Sequence, residues 1–314
     1  MVIVAFATVY LVWGSTYFFI RIAIQGFPPL LMGAIRFLTA GTLMLIWALF
    51  KREKIFNKKS LITSAVVGIL LLGGGNGCVI WVEQTLPSAM VAILVSAAPI
   101  WFVLLDRQNW GINFRSRSTL MGLFIGFIGV ILLFGEQMDN MLAGGNIAGK
   151  LLSMALLIVG SICWSGGSIY SKNHPSQGSA VVNVAWQMII AGILFIPGSL
   201  LNHEFNGLDL SQVPALSWFA VLYLVIFGSI AGFSAYVWLL QVRPTTQVST
   251  YAYVNPVIAV FLGVLFAGEH ISLLQIAGLV IILSSVLLIN LSKYRKSKGG
   301  EDSLAFPVMA EESV

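Results

Sequence analysis

Runs of apolar positions, broken by short polar stretches, divide the chain into ten candidate spans at about 2–24, 29–50, 61–82, 87–105, 119–135, 149–170, 180–200, 214–238, 246–267 and 273–291. The runs are continuous. A barrel strand would instead be polar at every second position, on its lumen-facing side, so helices are favoured. The pattern predicts an all-α polytopic membrane protein. The first run has no basic region before it and carries residues that return later in the chain, so it reads as a retained span and not as a cleaved leader.

Composition agrees. Hydrophobic residues make up 58% of the 314 and charged residues 9%, against about 45–50% and 25% in a soluble domain. The formal charge of +5 points to orientation and not to nucleic acid, because the basic residues fall in alternate loops. Lys51, Arg52, Lys54, Lys58 and Lys59 stand in one, Arg107, Arg115 and Arg117 in the next, then Lys172, then Arg243, then Lys293, Arg295, Lys296 and Lys298 after the last span. With ten spans all of these lie on one side, and the positive-inside rule makes both termini cytoplasmic. Arg21, Arg36 and Lys150 fall elsewhere. The two cysteines, Cys78 and Cys163, lie inside apolar runs, and the three histidines share no ligand spacing. No metal, cofactor or nucleophile–base pair is indicated, so the chain does not read as an enzyme. "LLGGGNG" at 71–77 lacks the lysine and hydroxyl of a phosphate loop.

The chain repeats itself. "YLVWGSTYFFIR" at 10–21 is echoed by "CWSGGSIYSK" at 163–172; at an offset of 151, Trp13 matches Trp164, Arg21 matches Lys172, Arg36 matches Gln187, and Ala40–Gly41 matches Ala191–Gly192. Later the offset is 157, where Trp81, Pro87 and Pro99 match Trp238, Pro244 and Pro256. The expected units are 1–140 and 147–292, each of five helices, with a polar tail at 293–314. An odd number of spans per unit turns the second copy upside down, and inverted repeats suit alternating access around a site between them. A transporter of a small-molecule metabolite in a lipid bilayer follows, with a monomer compatible; a channel or facilitative pore is the alternative. Gly122, Gly126 and Gly129 lie on neighbouring turns and suit helix packing.

Polar groups at membrane depth are costly and single out candidates. Arg36 lies about 10 Å below one end of its span at 1.5 Å per residue. It can meet an anionic cargo group, pair with Glu83, or snorkel to the interface. Asn76 can line the route or join helices, and Glu83 can close the outer mouth. Glu83 and Glu269, both near outer ends, are weak proton carriers. Tyr251 and Asn255 share a helix face, and Pro256 frees the carbonyl four residues earlier; Pro99 offers a comparable hinge in the first unit. Trp13, Ser15, Thr16, Tyr17, Trp164 and Tyr236 add rings and hydroxyls for a central cavity suited to an amphipathic solute.

These residues resemble the drug/metabolite transporter superfamily, in its ten-helix EamA branch. The likeness is carried by "WGSTYFFIRIAI" from Trp13, "PPLLMGAIRFLTAG" from Pro28, "GNG" from Gly75 with "EQ" at Glu83, "TYAYVNPVIAVFLG" from Thr250, and "GE" at Gly268. It implies two EamA units in an inverted-repeat fold and a central route for small metabolites in the bacterial inner membrane, often used for efflux. It also draws interest to Arg36, Asn76, Glu83, Tyr251, Asn255 and Pro256. The orientation is checked by single cysteines replacing Lys54 and Lys298: membrane-impermeant thiol reagents are expected to leave both unlabelled in intact spheroplasts and to label both in inverted vesicles.

Overall fold

Hydrocarbon offers no water to a backbone amide, so a segment this apolar must bond its own main chain, and helix is the local solution. The computed structural model describes residues 1–86, 88–142, 147–175, 178–206, 208–267 and 272–301, with side chains for all but 88–90, 93, 133–142, 147, 259–260, 263–267 and 290–301. Pro87, Gly268, Glu269 and residues 302–314 therefore lie outside the described residues, as do the side chains of Glu136, Asp139 and the basic cluster from Lys293 to Lys298.

Among the described residues all regular structure is helical. The longer elements are α1 (Val2–Ala23), α2 (Pro29–Phe50), α3 (Lys58–Val82), α4 (Ser88–Val95), α5 (Ala98–Leu105), α6 (Arg117–Leu142), α7 (Ile147–Asn173), α8 (Ala180–Leu201), α9 (Ala215–Val242), α10 (Tyr251–Ala267) and α11 (Leu273–Glu301). Six of them, α1, α2, α3, α7, α8 and α9, are long and apolar enough to cross a membrane; α6 with the bent segment Arg107–Asn113 ahead of it makes a seventh. The expected span 87–105 is divided into α4 and α5 by a turn at Ser96 and Ala97, just ahead of Pro99. Similarly, 246–267 begins with the single turn Thr245–Val248 before α10. The last helix continues past the expected end of its apolar run, to Glu301.

Local chemistry sets the starts. Asn57 caps α3 by accepting from the amides of Lys59 and Ser60 at 3.1 and 3.3 Å. Pro29 opens α2, where its missing amide costs nothing. The next two amides, of Leu30 and Leu31, donate to the Glu204 carboxylate at 3.3 and 2.8 Å, which places a negative charge on the positive end of that helix.

Small residues decide how closely the helices approach. α2 packs along α8 and α6 along α11, while α1 meets α9 and α10, and α7 meets α3 and α5. On α2, Gly41 faces Ala185 and Ile189 of α8, and Gly192 of α8 faces Leu38. Gly122, Gly126 and Gly129 of α6 face Ile289, Ser285 and Ile282 of α11.

Two stretches depart from α-geometry. Gly68–Asn76 within α3 and Leu224–Phe233 within α9 wind as π-helix, a rare form that recurs at functional sites because it widens the helix and re-aims its carbonyls. They begin 156 positions apart in the chain, within one residue of the offset that relates Trp81 to Trp238.

Gly68 makes the closest approach to another helix's backbone among the described residues: a Cβ there would lie 2.4 Å from the backbone oxygen of Gln187. Gly68→Ala is expected to lower stability by about 1–3 kcal/mol through overpacking, read as a lower midpoint of thermal unfolding in detergent. Gly111→Ala, with nothing within 4 Å of the added atom, is the silent control.

Candidate functional site

The two π-wound stretches face a common cavity. It holds about 740 Å³ of empty space including its open mouth, and its wall is drawn from α1, α2, α3, α4, α5, α7, α9 and α10. Leu72, Gly75 and Asn76 come from the first π stretch, and Gly228 and Phe233 from the second.

One wall is an aromatic cluster. Trp13 meets Trp164 edge-on at 5.4 Å and Tyr251 edge-on at 5.1 Å, and lies tilted against Tyr236 at 4.8 Å. Tyr236 in turn meets Trp164 at 5.4 Å and Tyr251 at 5.6 Å. These separations are those of favourable quadrupole contacts. Polar edges are satisfied behind the rings: the Trp13 indole donates to the Gly228 carbonyl at 3.1 Å, and the Trp164 indole to the Tyr236 hydroxyl at 3.0 Å, which also pairs with Ser168 at 2.6 Å.

Opposite chemistry enters from α2. Arg36 is only 3% exposed. Its Nε donates to Ser229 Oγ at 2.8 Å, its guanidinium carbon stands 4.8 Å over the Phe37 ring, and Nη1 is buried with no hydrogen-bond partner. Two more cavity-lining residues carry an unpaired acceptor, Asn76 Oδ1 and Asn255 Oδ1. A buried polar atom left unpaired costs about 1–3 kcal/mol. Three such atoms belong to residues that line this one cavity.

The candidates named from sequence divide clearly. Trp13, Thr16, Tyr17, Arg36, Asn76, Trp164, Tyr251 and Asn255 line the cavity. Tyr236 stands behind the rings, and Ser15 turns away from the cavity to bond the Val12 carbonyl and the Tyr223 hydroxyl at 2.7 Å each. Glu83 follows α3, with both carboxylate oxygens buried and unpaired. The Arg36–Glu83 ion pair, one of the sequence alternatives, is not formed; Arg36 is held by Ser229 instead. Pro99 occupies the first turn of α5 and Pro256 lies inside α10 beside Asn255, neither on the cavity wall. Sequence reasoning missed Gly228 and Phe233, which line the cavity, and Ser229, which holds Arg36; their run "LVIFGSIAGF" reads as an ordinary apolar span. It also passed over Leu157, Gly160 and Ser161 of α7, one to two turns before Trp164.

The chain matches the EamA-like transporter family over residues 1–135 and 151–291. It is 37% identical over 292 residues to the "Uncharacterized inner membrane transporter YedA" of Escherichia coli strain K12, covering 92% of this chain and 90% of that one. More distant relatives include "Protein PecM" of Dickeya dadantii, 24% identical with 93% and 94% covered, and the "Uncharacterized transporter YoaV" of Bacillus subtilis, 23% identical with 91% and 96% covered. One solved crystal structure superposes with a TM-score of 0.71 at 17% identity, covering 92% of this chain and 96% of that one, a likeness of fold. The chain belongs to the EamA-like transporter family, and is a polytopic helical membrane protein with a general transport role.

Removing the Tyr236 hydroxyl leaves the Trp164 indole without its acceptor but does not touch the cavity wall. Tyr236→Phe is therefore expected to cost about 1–3 kcal/mol of stability, checked by thermal unfolding, with Tyr251→Phe as a lining variant for comparison.

Proposed function

We propose that the protein is a secondary transporter that exports a small organic metabolite across the bacterial inner membrane by alternating access. In this reading ten spans form two inverted five-helix units, 1–140 and 147–292, with both termini in the cytoplasm. The pairing of helices supports it: α1 meets α9 and α10 as α7 meets α3 and α5, and the cavity takes a π-wound wall from each unit. The printed name of the Escherichia coli relative supports the inner-membrane location.

The observation that carries the reading is the juxtaposition, in one cavity, of six aromatic rings, Trp13, Tyr17 and Phe37 from the first unit and Trp164, Phe233 and Tyr251 from the second, with an unpaired guanidinium nitrogen and two unpaired amide oxygens. A cargo that fits has an apolar body for the rings, an acceptor or anionic group for Arg36, and an N–H donor for Asn76 or Asn255. Amino acids and amphipathic compounds have that make-up. Cargo supplies the missing bonds, so its binding offsets the cost of keeping these atoms buried. The breaks ahead of Pro99 and Tyr251, and the π stretches, give both units places to flex. Transport in this scheme needs no cofactor and no covalent chemistry. The apolar side chains exposed along α1, α2 and α9, such as Leu11, Trp47 and Phe219, face lipid.

Counterflow in proteoliposomes tests the carrier. A solute that binds is expected to be taken up faster when the same unlabelled solute is trapped inside, and Arg36→Gln is expected to weaken binding and exchange about ten-fold or more, the loss of one charge-assisted bond. Flux that rises without saturation and ignores trans solute would establish a channel instead.

A further inference from the structure

Equivalent ends of the two units are in different states. At the end bearing the basic loops, Lys172 in the last turn of α7 donates through Nζ to the carbonyls of Leu240, at 3.1 Å, and Arg243, while Gln241 Nε2 donates to the Ser171 carbonyl at 3.2 Å. These bonds fasten the last turn of α7 to the last turn of α9. Asp106, held by Thr245 Oγ1 at 2.8 Å and by Asn109, lies within electrostatic reach of Lys172.

The same groups occur at the other end and are unfastened. Arg21, the counterpart of Lys172, sits in the last turn of α1 and is exposed. Gln84, the counterpart of Gln241, donates to Trp81 of its own helix at 3.0 Å. The carbonyls equivalent to those of Leu240 and Arg243 belong to Glu83 and Leu86. Among the described residues no hydrogen bond joins the last turn of α1 to that of α3. Glu83 keeps two unpaired carboxylate oxygens there, and Arg21 is the cation whose charge reaches it.

The cavity leans the same way. Along α1 it runs from Trp13 to Ile20 and along α3 from Leu72 to Val79, toward Arg21 and Gln84. On α7 and α9 it stops at Trp164 and Phe233, about 12 Å short of Lys172 and Gln241 at 1.5 Å per residue.

We propose that Lys172 with Gln241, and Arg21 with Gln84, are two alternating latches: a basic side chain from the first helix of a unit caps the carbonyl end of its third helix, closing the cavity at that end. This structure has the α7–α9 latch closed and the α1–α3 latch open. In the opposite state Arg21 caps the last carbonyls of α3, pairs with Glu83 and seals that end, while Lys172 lets go. A cation at a helix C-terminus meets both free carbonyls and the negative end of the macrodipole, so either latch holds its helix pair without any contact to cargo. The inference rests on the inverted-unit reading above.

Spin labels on exposed positions at the closed end, His174 and Val242, in a Cys78→Ala/Cys163→Ala background, report the state by pulsed dipolar distances in nanodiscs with no solute added. Lys172→Met is expected to raise the ratio of the longer-distance to the shorter-distance population roughly ten-fold, and Lys172→Arg to leave it near wild type. Arg21→Met, which removes the latch of the opposite state, is expected to lower that ratio. Size-exclusion profiles matching wild type establish that the variants are folded, and Lys172→Gln, which also removes the cation, carries the test if methionine is not tolerated. The latch is overturned if the two methionine variants leave the distances unchanged or move them in the same direction. Counterflow separates the two levels: absent counterflow with opposed distance shifts overturns the carrier and keeps the latch, whereas intact counterflow with no shift overturns the latch alone.

Discussion

Inside a membrane an indole N–H must find an acceptor within the protein, and the Trp13 indole finds it at the Gly228 carbonyl, 3.1 Å away. That carbonyl lies in the π-wound stretch Leu224–Phe233. Glycine at 228 and 232 leaves room for the ring: a Cβ on Gly232 would stand 2.6 Å from the indole nitrogen. With Trp13 fixed there, Trp164, Tyr236 and Tyr251 have a surface to pack on, and α1 is held between α9 and α10. The aromatic wall therefore packs against a ring anchored by this one side-chain-to-backbone bond.

The two halves of the site share geometry but not charge. Arg36 reaches Ser229 next to Gly228, inside the second π stretch. Its counterpart Gln187 abuts Gly68 at the start of the first, with Oε1 buried and unpaired. Exchanging a cation for a neutral amide also changes the contact: Arg36 meets Gly228 with its side chain, whereas Gln187 meets Gly68 with its backbone. It gives the cavity a formal positive charge on one side only. In the proposed transport cycle that asymmetry favours cargo carrying an anionic or strongly accepting group.

Stability and movement draw on different residues. The α2–α8 and α6–α11 contacts are close because of glycine and alanine, and present few polar groups that must exchange partners. α1, α3, α7 and α9 instead combine π turns, unpaired amides and terminal basic residues. In the proposed cycle, motion of these helices changes hydrogen bonds at their ends while α2 stays paired with α8 and α6 with α11.

Much was legible in the chain, since hydrophobicity at the scale of a bilayer and a repeated residue order survive any detail of packing. The helical membrane class, the family and the matched positions Trp13 and Trp164 come from that level. So does the interest in Arg36, Asn76, Tyr251 and Asn255, because a polar side chain in an apolar run stands out before any contact is known. The sequence could not rank the partners of Arg36: Glu83 is the obvious counter-charge by composition, yet Ser229, 193 positions away, is the residue that bonds it. Nor could it show Ser15 turning away from the cavity or Tyr236 retreating behind it, since helical rotation by one residue decides which side of a wall a hydroxyl occupies. The π stretches left no periodic signature in runs already uniformly apolar. Only the tertiary structure decided where those turns lie and which side-chain donor reaches a carbonyl within them.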